Sequence, residues 1–151
     1  MAAKYSRQHC AEMALHWVAY QLGRSGLSTL PTSRNAAGAD LFVYGDDCAI
    51  AIGVQVKGRQ TRGDVPLGHD LGKIKGTFWV IASNVGSDSP VCYVLTPDEV
   101  KSQAIRDNNP SKGTGKHHYW LKPSVFEQEQ YVDAWERITR AIKLQAEKAV
   151  V

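Results

Sequence analysis

Apolar residues near the N-terminus recur every three or four positions, which predicts an amphipathic helix over residues 6–22. The apolar row of this helix would consist of Ala11, Leu15, Val18 and Leu22, and Cys10, Ala14 and Trp17 would widen it. Gly23 ends the pattern, as glycine commonly does at a helix C-terminus. Glu12 lies on the flank of the predicted helix.

The pattern then changes to the alternation that is typical of strands. Residues 41–44 and 49–56 are rich in aromatic and β-branched side chains, and the turn-forming residues Asp46 and Asp47 lie between them. The segment is therefore predicted to be a β-hairpin.

The hairpin register decides which polar side chains share a face. A two-residue turn would place Asp40 opposite Gly53, with Gln55 as its diagonal neighbour at about 7 to 8 Å. Because alternate residues of a strand point to the same side, Gln55 and Lys57 would lie on the face of Asp40. A three-residue turn would move Asp40 to the other face.

The remaining elements follow from apolar runs and capping patterns. Further strands are predicted over residues 27–34, 77–83 and 91–95. Thr96 and Glu99 form a capping box that opens a short helix, and Ser124 with Glu127 would open a long C-terminal helix. The apolar row of that last helix would be Tyr131, Trp135, Ile138 and Ile142. This order predicts a single α/β domain over residues 1–151, with a mixed central β-sheet flanked by helices.

Asp40, Gln55 and Lys57 carry the chemistry that metal-dependent cleavage of a phosphodiester requires. They offer a carboxylate, an amide oxygen and an ammonium group, which suit a hard cation and a negatively charged phosphate. Each residue taken alone has an ordinary explanation, since such side chains are common at turns, on exposed strand faces and at strand ends.

An acid before a strand, a turn, and a second strand ending in acid-x-Lys resembles the PD-(D/E)xK superfamily, the restriction-endonuclease-like nucleases. The pattern stands here as Asp40 followed by Gln55-Val56-Lys57, and it is preceded by a helix that carries Glu12. The order of helices and strands is also similar across most of the chain. The resemblance therefore implies a restriction-endonuclease-like core.

By this resemblance, Asp40 would bind a divalent ion, Mg²⁺ with Mn²⁺ as a substitute. Gln55 and the main-chain carbonyl of Val56 would complete the shell, and Glu12 would bind the ion directly or through water. Lys57 would orient the attacking water and stabilise the phosphate in the transition state. These four side chains and the Val56 carbonyl are the predicted catalytic and metal-binding groups.

The chain departs from the superfamily pattern at two positions. Ala39 replaces a proline, a common change, and Gln55 replaces an acid. Glutamine can ligate magnesium through its amide oxygen but brings no charge, so the ion should bind more weakly. Some branches of the superfamily have Gln-x-Lys, so the change does not by itself remove activity.

Charge is informative mainly through its distribution. The net charge of +3 is weak evidence for a nucleic-acid partner. Basic residues cluster around and after the candidate catalytic strand, however, where they could contact phosphates or simply form a solvated loop. The predicted DNA-binding residues are Arg34, Arg59, Arg62, Lys73 and Lys75. A second basic run, at residues 112–122, surrounds Tyr119 and Trp120.

Other features limit the class of protein. The three cysteines Cys10, Cys48 and Cys92 are widely spaced and lie in apolar contexts, so they are predicted to be reduced core residues. No apolar run has the length of a membrane span and no secretory signal is evident, which predicts a soluble cytoplasmic protein. Phosphate-binding glycine loops are also absent from the sequence, so no nucleotide cofactor is expected.

The sequence thus predicts a magnesium-dependent DNA endonuclease. Cutting both strands of a duplex with one site per chain would favour a homodimer. The alternative is a DNA-binding or partner-binding module that kept the fold without strong metal affinity, including a subunit of a larger restriction, repair or mobile-element system.

Overall fold

The computed structural model describes residues 3–33 and 38–150. The helices are α1 (Arg7–Arg24), α2 (Pro97–Ser102), α3 (Pro123–Phe126) and α4 (Glu136–Ala149). The strands are β1 (Ser28–Pro31), β2 (Leu41–Tyr44), β3 (Ala51–Gly58), β4 (Val65–Gly68), β5 (Phe78–Ser83), β6 (Val91–Leu95), β7 (Ile105–Arg106) and β8 (Tyr119–Leu121). None of the helices in this part of the chain combines the length and apolar character that a membrane span needs.

The central sheet has the strand order β1-β2-β3-β5-β6. Its neighbours are antiparallel except for β3 and β5, which are parallel. A parallel pair needs a crossover, and residues 59–77 provide it. The predicted α/β fold with a mixed central sheet flanked by helices is confirmed.

Both faces of this sheet are buried, so the chain has two apolar cores. Helices α1 and α4 cover one face, where Val80 of β5 packs with Val18 and Ile138. Trp79 and Ile81 point to the other face and join a second core. Burial on both sides explains why β5 is apolar at nearly every position rather than alternating.

Helix α1 lies unusually close to the end of β3. Ser6 caps the helix by accepting a hydrogen bond from the His9 N–H. The predicted row is only half right, because Ala11 is exposed and Leu15 is half-buried. The buried row that faces the sheet is Cys10, Ala14, Val18 and Leu22. A Cβ added to Gly58 would lie 2.7 Å from both the Ala14 Cβ and the Cys10 carbonyl oxygen. Glycine at this position therefore lets the helix approach the strand that ends beside Lys57.

The connection of the predicted hairpin is longer than either turn considered from the sequence. Tyr44 pairs with Ala51, so residues 45–50 form the connection, in which the Asp47 side chain accepts a hydrogen bond from the Ala49 N–H. The pairing is thus shifted by two residues from the register of a two-residue turn. Because strand side chains alternate with period two, this shift keeps the same residues on each face. Cys48 is exposed in the connection, which corrects its prediction as a core residue, whereas the other two cysteines are buried.

A second, three-stranded sheet was not predicted. Strands β4, β8 and β7 pair in that order and are antiparallel. They come from segments dominated by glycine, proline and charge, where periodicity is weak. Val65 and Leu121 are buried in the second core together with side chains of β5 and β6, and this packing attaches the small sheet to the central one.

The predicted long C-terminal helix is interrupted. Helix α3 ends at Phe126, Ser124 is not its N-cap, and α4 begins only at Glu136. The intervening segment pairs with the edge of β6 instead: the Val94 N–H donates to the Tyr131 carbonyl, and the Asp133 N–H donates to the Cys92 carbonyl. Pairing with an open sheet edge thus outweighs continuation of the helix.

Helix α2 is tied to α4 by a bidentate ion pair. The predicted capping box of Thr96 and Glu99 is confirmed, and Arg137 donates to both Glu99 carboxylate oxygens at 2.6 and 3.0 Å. Burial acts to raise the pKa of Glu99, but the hydrogen bonds from Arg137 and Thr96 outweigh it, and the pKa is lowered.

We expect Gly58→Ala to destabilise the protein by about 1–3 kcal/mol, because the new methyl group meets backbone that cannot move aside. Gly23→Ala is the matched control: it lies in α1 with open space around it and should stabilise the protein by roughly 0.5–1 kcal/mol. Urea unfolding followed by circular dichroism measures both. Equal stability of Gly58→Ala and the wild type would show that α1 is not packed this closely.

Glu99→Gln keeps a capping side chain but removes the charge. A carboxylate whose pKa is lowered by folding stabilises the protein above its unfolded value, ordinarily 4.5, and loses this effect as the pH falls through the folded value. We expect the variant to be about 1–2 kcal/mol less stable at pH 7. The difference from the wild type should shrink as the pH drops below 4.5. Glu147→Gln, exposed at the far end of α4, is the control, and a pH-independent difference for Glu99→Gln would contradict the assignment.

Candidate active site at the open edge of β3

Strand β3 extends beyond its antiparallel partner. The last pair with β2 is Leu41 with Val54, so residues 55–58 have no β2 strand beside them. On their other side these residues still pair with β5. The result is an open strand edge in the middle of the sheet, where groups from both faces can reach one cleft.

Asp40 lies where β2 parts from β3. Its backbone N–H donates to the Val54 carbonyl at 2.9 Å, and its own carbonyl accepts from the Thr32 N–H at 2.9 Å. Its carboxylate Oδ2 accepts hydrogen bonds from the Val56 N–H at 2.8 Å and from Gln55 Nε2 at 2.7 Å. The carboxylate thus takes the place of a strand partner and is held firmly at the edge of β3.

Gln55 is nearly buried, with 6% of its surface exposed. The β2–β3 pairing ends at Leu41 with Val54, so Gln55 has no strand partner in β2, and its side chain contacts Asp40 through the hydrogen bond from Nε2 to Oδ2. Its amide nitrogen satisfies Asp40 in this arrangement. Rotating the terminal amide by half a turn would present the oxygen Oε1 at the same place.

The main chain of Val56 contributes an acceptor to the cleft. In an antiparallel ladder the N–H and the C=O of one residue face the same neighbour. The Val56 N–H faces Asp40, so its carbonyl also faces the side from which β2 has departed. This orientation is the one that a metal ligand from the backbone would need.

Lys57 shares the face of Gln55 and lies over the indole ring of Trp79, with its ammonium nitrogen 5.2 Å from the ring centroid. None of the ion pairs formed within the described residues involves Lys57. No acid in this part of the chain therefore engages its three donors, which can act on a ligand.

The cleft encloses about 400 Å³. Asp40, Gln55, Val56 and Lys57 line one side, and Glu12 lines the other from α1. The lining also includes Gln8 and Gly58, which the sequence did not single out, and Ala11 and Leu15, which the sequence placed in the apolar row of the first helix. The structure therefore brings together the five residues that the sequence analysis selected for catalysis and metal binding.

The donor set of the cleft is compatible with a hard cation. Asp40, Glu12, the Gln55 amide oxygen and the Val56 carbonyl are all oxygen donors, which magnesium prefers. Within residues 3–33 and 38–150, no group of three or more His, Cys, Asp and Glu side chains could hold a metal ion. An ion at this cleft would therefore rely on neutral oxygens as much as on carboxylates.

The predicted DNA-binding residues have different environments. Lys75 is exposed, and its Cβ is 3.0 Å from the position that a Cβ on Gly38 would take, two residues before Asp40. Lys73 is exposed in a short 3-10 helix. Arg34 lies outside the described residues.

The two arginines that follow β3 are less available for contacts with DNA phosphates than the two lysines. Arg62 forms an ion pair with Glu127 at 2.8 Å. Arg59 is half-buried, and its Nε is enclosed without a hydrogen-bond partner among the described residues. In the second basic run, Lys122 pairs with Asp64 at 2.6 Å, and the His118 ring lies 4.0 Å from that of His69.

The whole chain is similar in fold to a bacterial homing endonuclease, I-Ssp6803I. The two structures superpose with a TM-score of 0.61, at 18% sequence identity, over 96% of this chain and 99% of the other. The sequence matches no family model, and it has no significant match among curated proteins. At this identity the likeness establishes the fold.

Gln55→Glu should strengthen metal binding on the order of tenfold or more, because it places a charged ligand beside Asp40. Without metal, the variant loses the Gln55–Asp40 hydrogen bond and places two carboxylates in contact, so its melting temperature should fall and then rise on adding Mn²⁺. Calorimetric titration with Mn²⁺ measures the affinity.

Gln8→Glu is the matched control for this change, since it adds the same charge to the wall of the cleft from α1. Its effect on the affinity should be within about threefold. An unchanged Mn²⁺ titration for Gln55→Glu would mean that residue 55 is not a ligand.

Proposed function

We propose that this protein is a metal-dependent DNA endonuclease of the PD-(D/E)xK type, with a Gln-x-Lys variant of the motif. The observation that carries the proposal is the cleft at the open edge of β3, which is lined by Asp40, Gln55, Val56, Lys57 and Glu12. The likeness in fold to I-Ssp6803I, a homing endonuclease, supports the same function over nearly the full length of the chain.

Each lining residue has a distinct task in this proposal. Asp40, Gln55 and the Val56 carbonyl would bind Mg²⁺ or Mn²⁺, with Glu12 as a further ligand directly or through water. The bound ion would supply positive charge at the scissile phosphate and lower the pKa of a water molecule. Asp40 suits this task because hydrogen bonds hold both its backbone N–H and its carbonyl, and the Val56 N–H holds its carboxylate. The carboxylate therefore needs to move little when an ion binds.

Lys57 would donate hydrogen bonds to the attacking water and to the phosphate as negative charge develops on it. Such a donor contributes most where it is held in place before the reaction.

Duplex DNA is the proposed substrate, and Lys73 and Lys75 are its proposed phosphate contacts outside the cleft. Both side chains are exposed, and Lys75 lies beside the segment that leads to Asp40. With few available cations and a net charge of +3, the binding should depend on salt moderately. A homodimer would supply a second site for the other strand.

One observation favours the second candidate, a DNA-binding or partner-binding module without catalysis. The Gln55 amide donates to the Asp40 carboxylate and so satisfies one of its oxygens without a metal. When the polar groups of a cleft already form hydrogen bonds with one another, they gain less free energy from binding a cation.

Cleavage of supercoiled plasmid DNA by purified protein tests the function. The wild type should nick or linearise the DNA with Mg²⁺ or Mn²⁺, and chelation by EDTA should stop it. Lys57→Ala and Asp40→Ala should each lower the rate about 100-fold or more, since each removes a group that acts on the transition state. Lys143→Ala, which removes an exposed lysine from α4, should have no effect.

Retained cleavage by Lys57→Ala would remove the assignment. Gel-shift and calorimetric measurements on the same samples separate the second candidate. Binding of duplex, branched or single-stranded DNA without metal uptake and without product would identify a binding module.

A further inference from the structure

We infer that Trp79 is a positioning residue that holds the Lys57 ammonium group at the cleft, an inference that rests on the proposed nuclease function. The sequence pattern identifies Trp79 only as part of a buried strand. The structure places its ring under the ammonium nitrogen, 5.2 Å from the ring centroid, which is within the range of a cation–π contact.

The parallel pairing of β3 and β5 creates this contact. Gln55 and Trp79 are Cα partners across the two strands, and Lys57 with Ile81 is the next pair on the same face. The Lys57 side chain therefore needs only to lean along its strand to reach the ring. A shift of the β3–β5 register by one residue would turn Trp79 to the other face.

The ring itself is fixed. Trp79 is 5% exposed within the second apolar core, and its indole N–H donates to the Lys75 carbonyl at 3.2 Å. Packing restricts the plane of the ring, and the hydrogen bond holds one of its edges. Lys57 thus contacts a ring whose position is fixed by the protein core.

An aromatic face is a suitable support for a catalytic lysine here. A carboxylate partner would hold the ammonium through hydrogen bonds and would neutralise its charge, whereas a π face attracts the cation and leaves its three donors free. Position 55 has no acid, so Gln55 cannot hold Lys57 by charge. Trp79 supplies an attraction at the point where the acid of the motif is missing.

The test compares Trp79→Leu and Trp79→Phe with the wild type in plasmid cleavage. Trp79→Leu removes the π face, and we expect kcat to fall about tenfold with KM for DNA changed less than about twofold, because binding of the duplex does not depend on the ring. Trp79→Phe keeps an aromatic face and should retain kcat within about threefold. Tyr93→Leu is the control, since it removes a ring from the same core that does not contact Lys57.

A second measurement does not depend on cleavage. In the wild type, the methylene protons next to the Lys57 nitrogen should be shifted upfield by the indole ring, in a spectrum of protein labelled at lysine. The missing signal in Lys57→Arg assigns the resonance. This upfield shift should disappear in Trp79→Leu and persist in Tyr93→Leu.

The outcomes separate this inference from the proposed function. A wild type that cleaves no DNA with any divalent metal ends the proposed function and the role of Trp79 with it. An active wild type with unchanged kcat in Trp79→Leu, an equal loss in Tyr93→Leu, or a Lys57 resonance that is not shifted overturns the positioning role alone.

Discussion

The candidate site depends on how the Asp40 carboxylate completes an unfinished strand pair. Where β2 ends, the Val56 N–H would lack a partner, and an unpaired backbone donor is costly unless it is satisfied. Asp40 accepts this hydrogen bond with a side chain instead of a backbone carbonyl. The Val56 N–H at the edge of β3 therefore has a hydrogen-bond partner, although no strand covers that edge. A cleft can exist there because the partner is a short side chain, and because α1 closes the far side through its contact at Gly58.

The electrostatics of the cleft follow from the absence of an acid at position 55. Gln55 is nearly buried, and a glutamate there would have faced Asp40 as a second charge in a partly desolvated place. The amide avoids that repulsion by donating to the carboxylate. The same change leaves Lys57 without an acid two residues before it, and the lysine lies on the Trp79 ring. A neutral residue at position 55 thus favours the stability of the metal-free protein, whereas an acid at the same position would favour cation binding.

The second core gives the site its support. The three-stranded sheet packs Val65 and Leu121 against the face of β5 that carries Trp79. Without that cover, the indole ring would be exposed and free to reorient. The crossover between β3 and β5 forms part of this cover and also carries Lys73 and Lys75, so these two exposed lysines belong to an element that the core anchors.

Local pattern determined much of this fold. The helix around Val18, strand β3 and the capping box at Thr96 follow from neighbouring residues, and the structure confirms all three elements. The sequence pattern also grouped Asp40, Gln55 and Lys57, and all three line one cleft, although the connection is longer than either turn considered. An error of two residues in register leaves the faces unchanged, because the strand period is two.

Tertiary structure decided whatever depends on residues far apart in the chain. The parallel register that brings Trp79 under Lys57 joins segments more than twenty residues apart, and no local pattern encodes it. The break before α4 arises because residues near Asp133 pair with the edge of β6, a partner some forty residues away. The small sheet likewise forms only because its weak strands find an apolar surface to cover. The sequence by itself determined which residues could form a site, and long-range packing decided what holds those residues in place, because the free energy of packing is gained only once the distant segments meet.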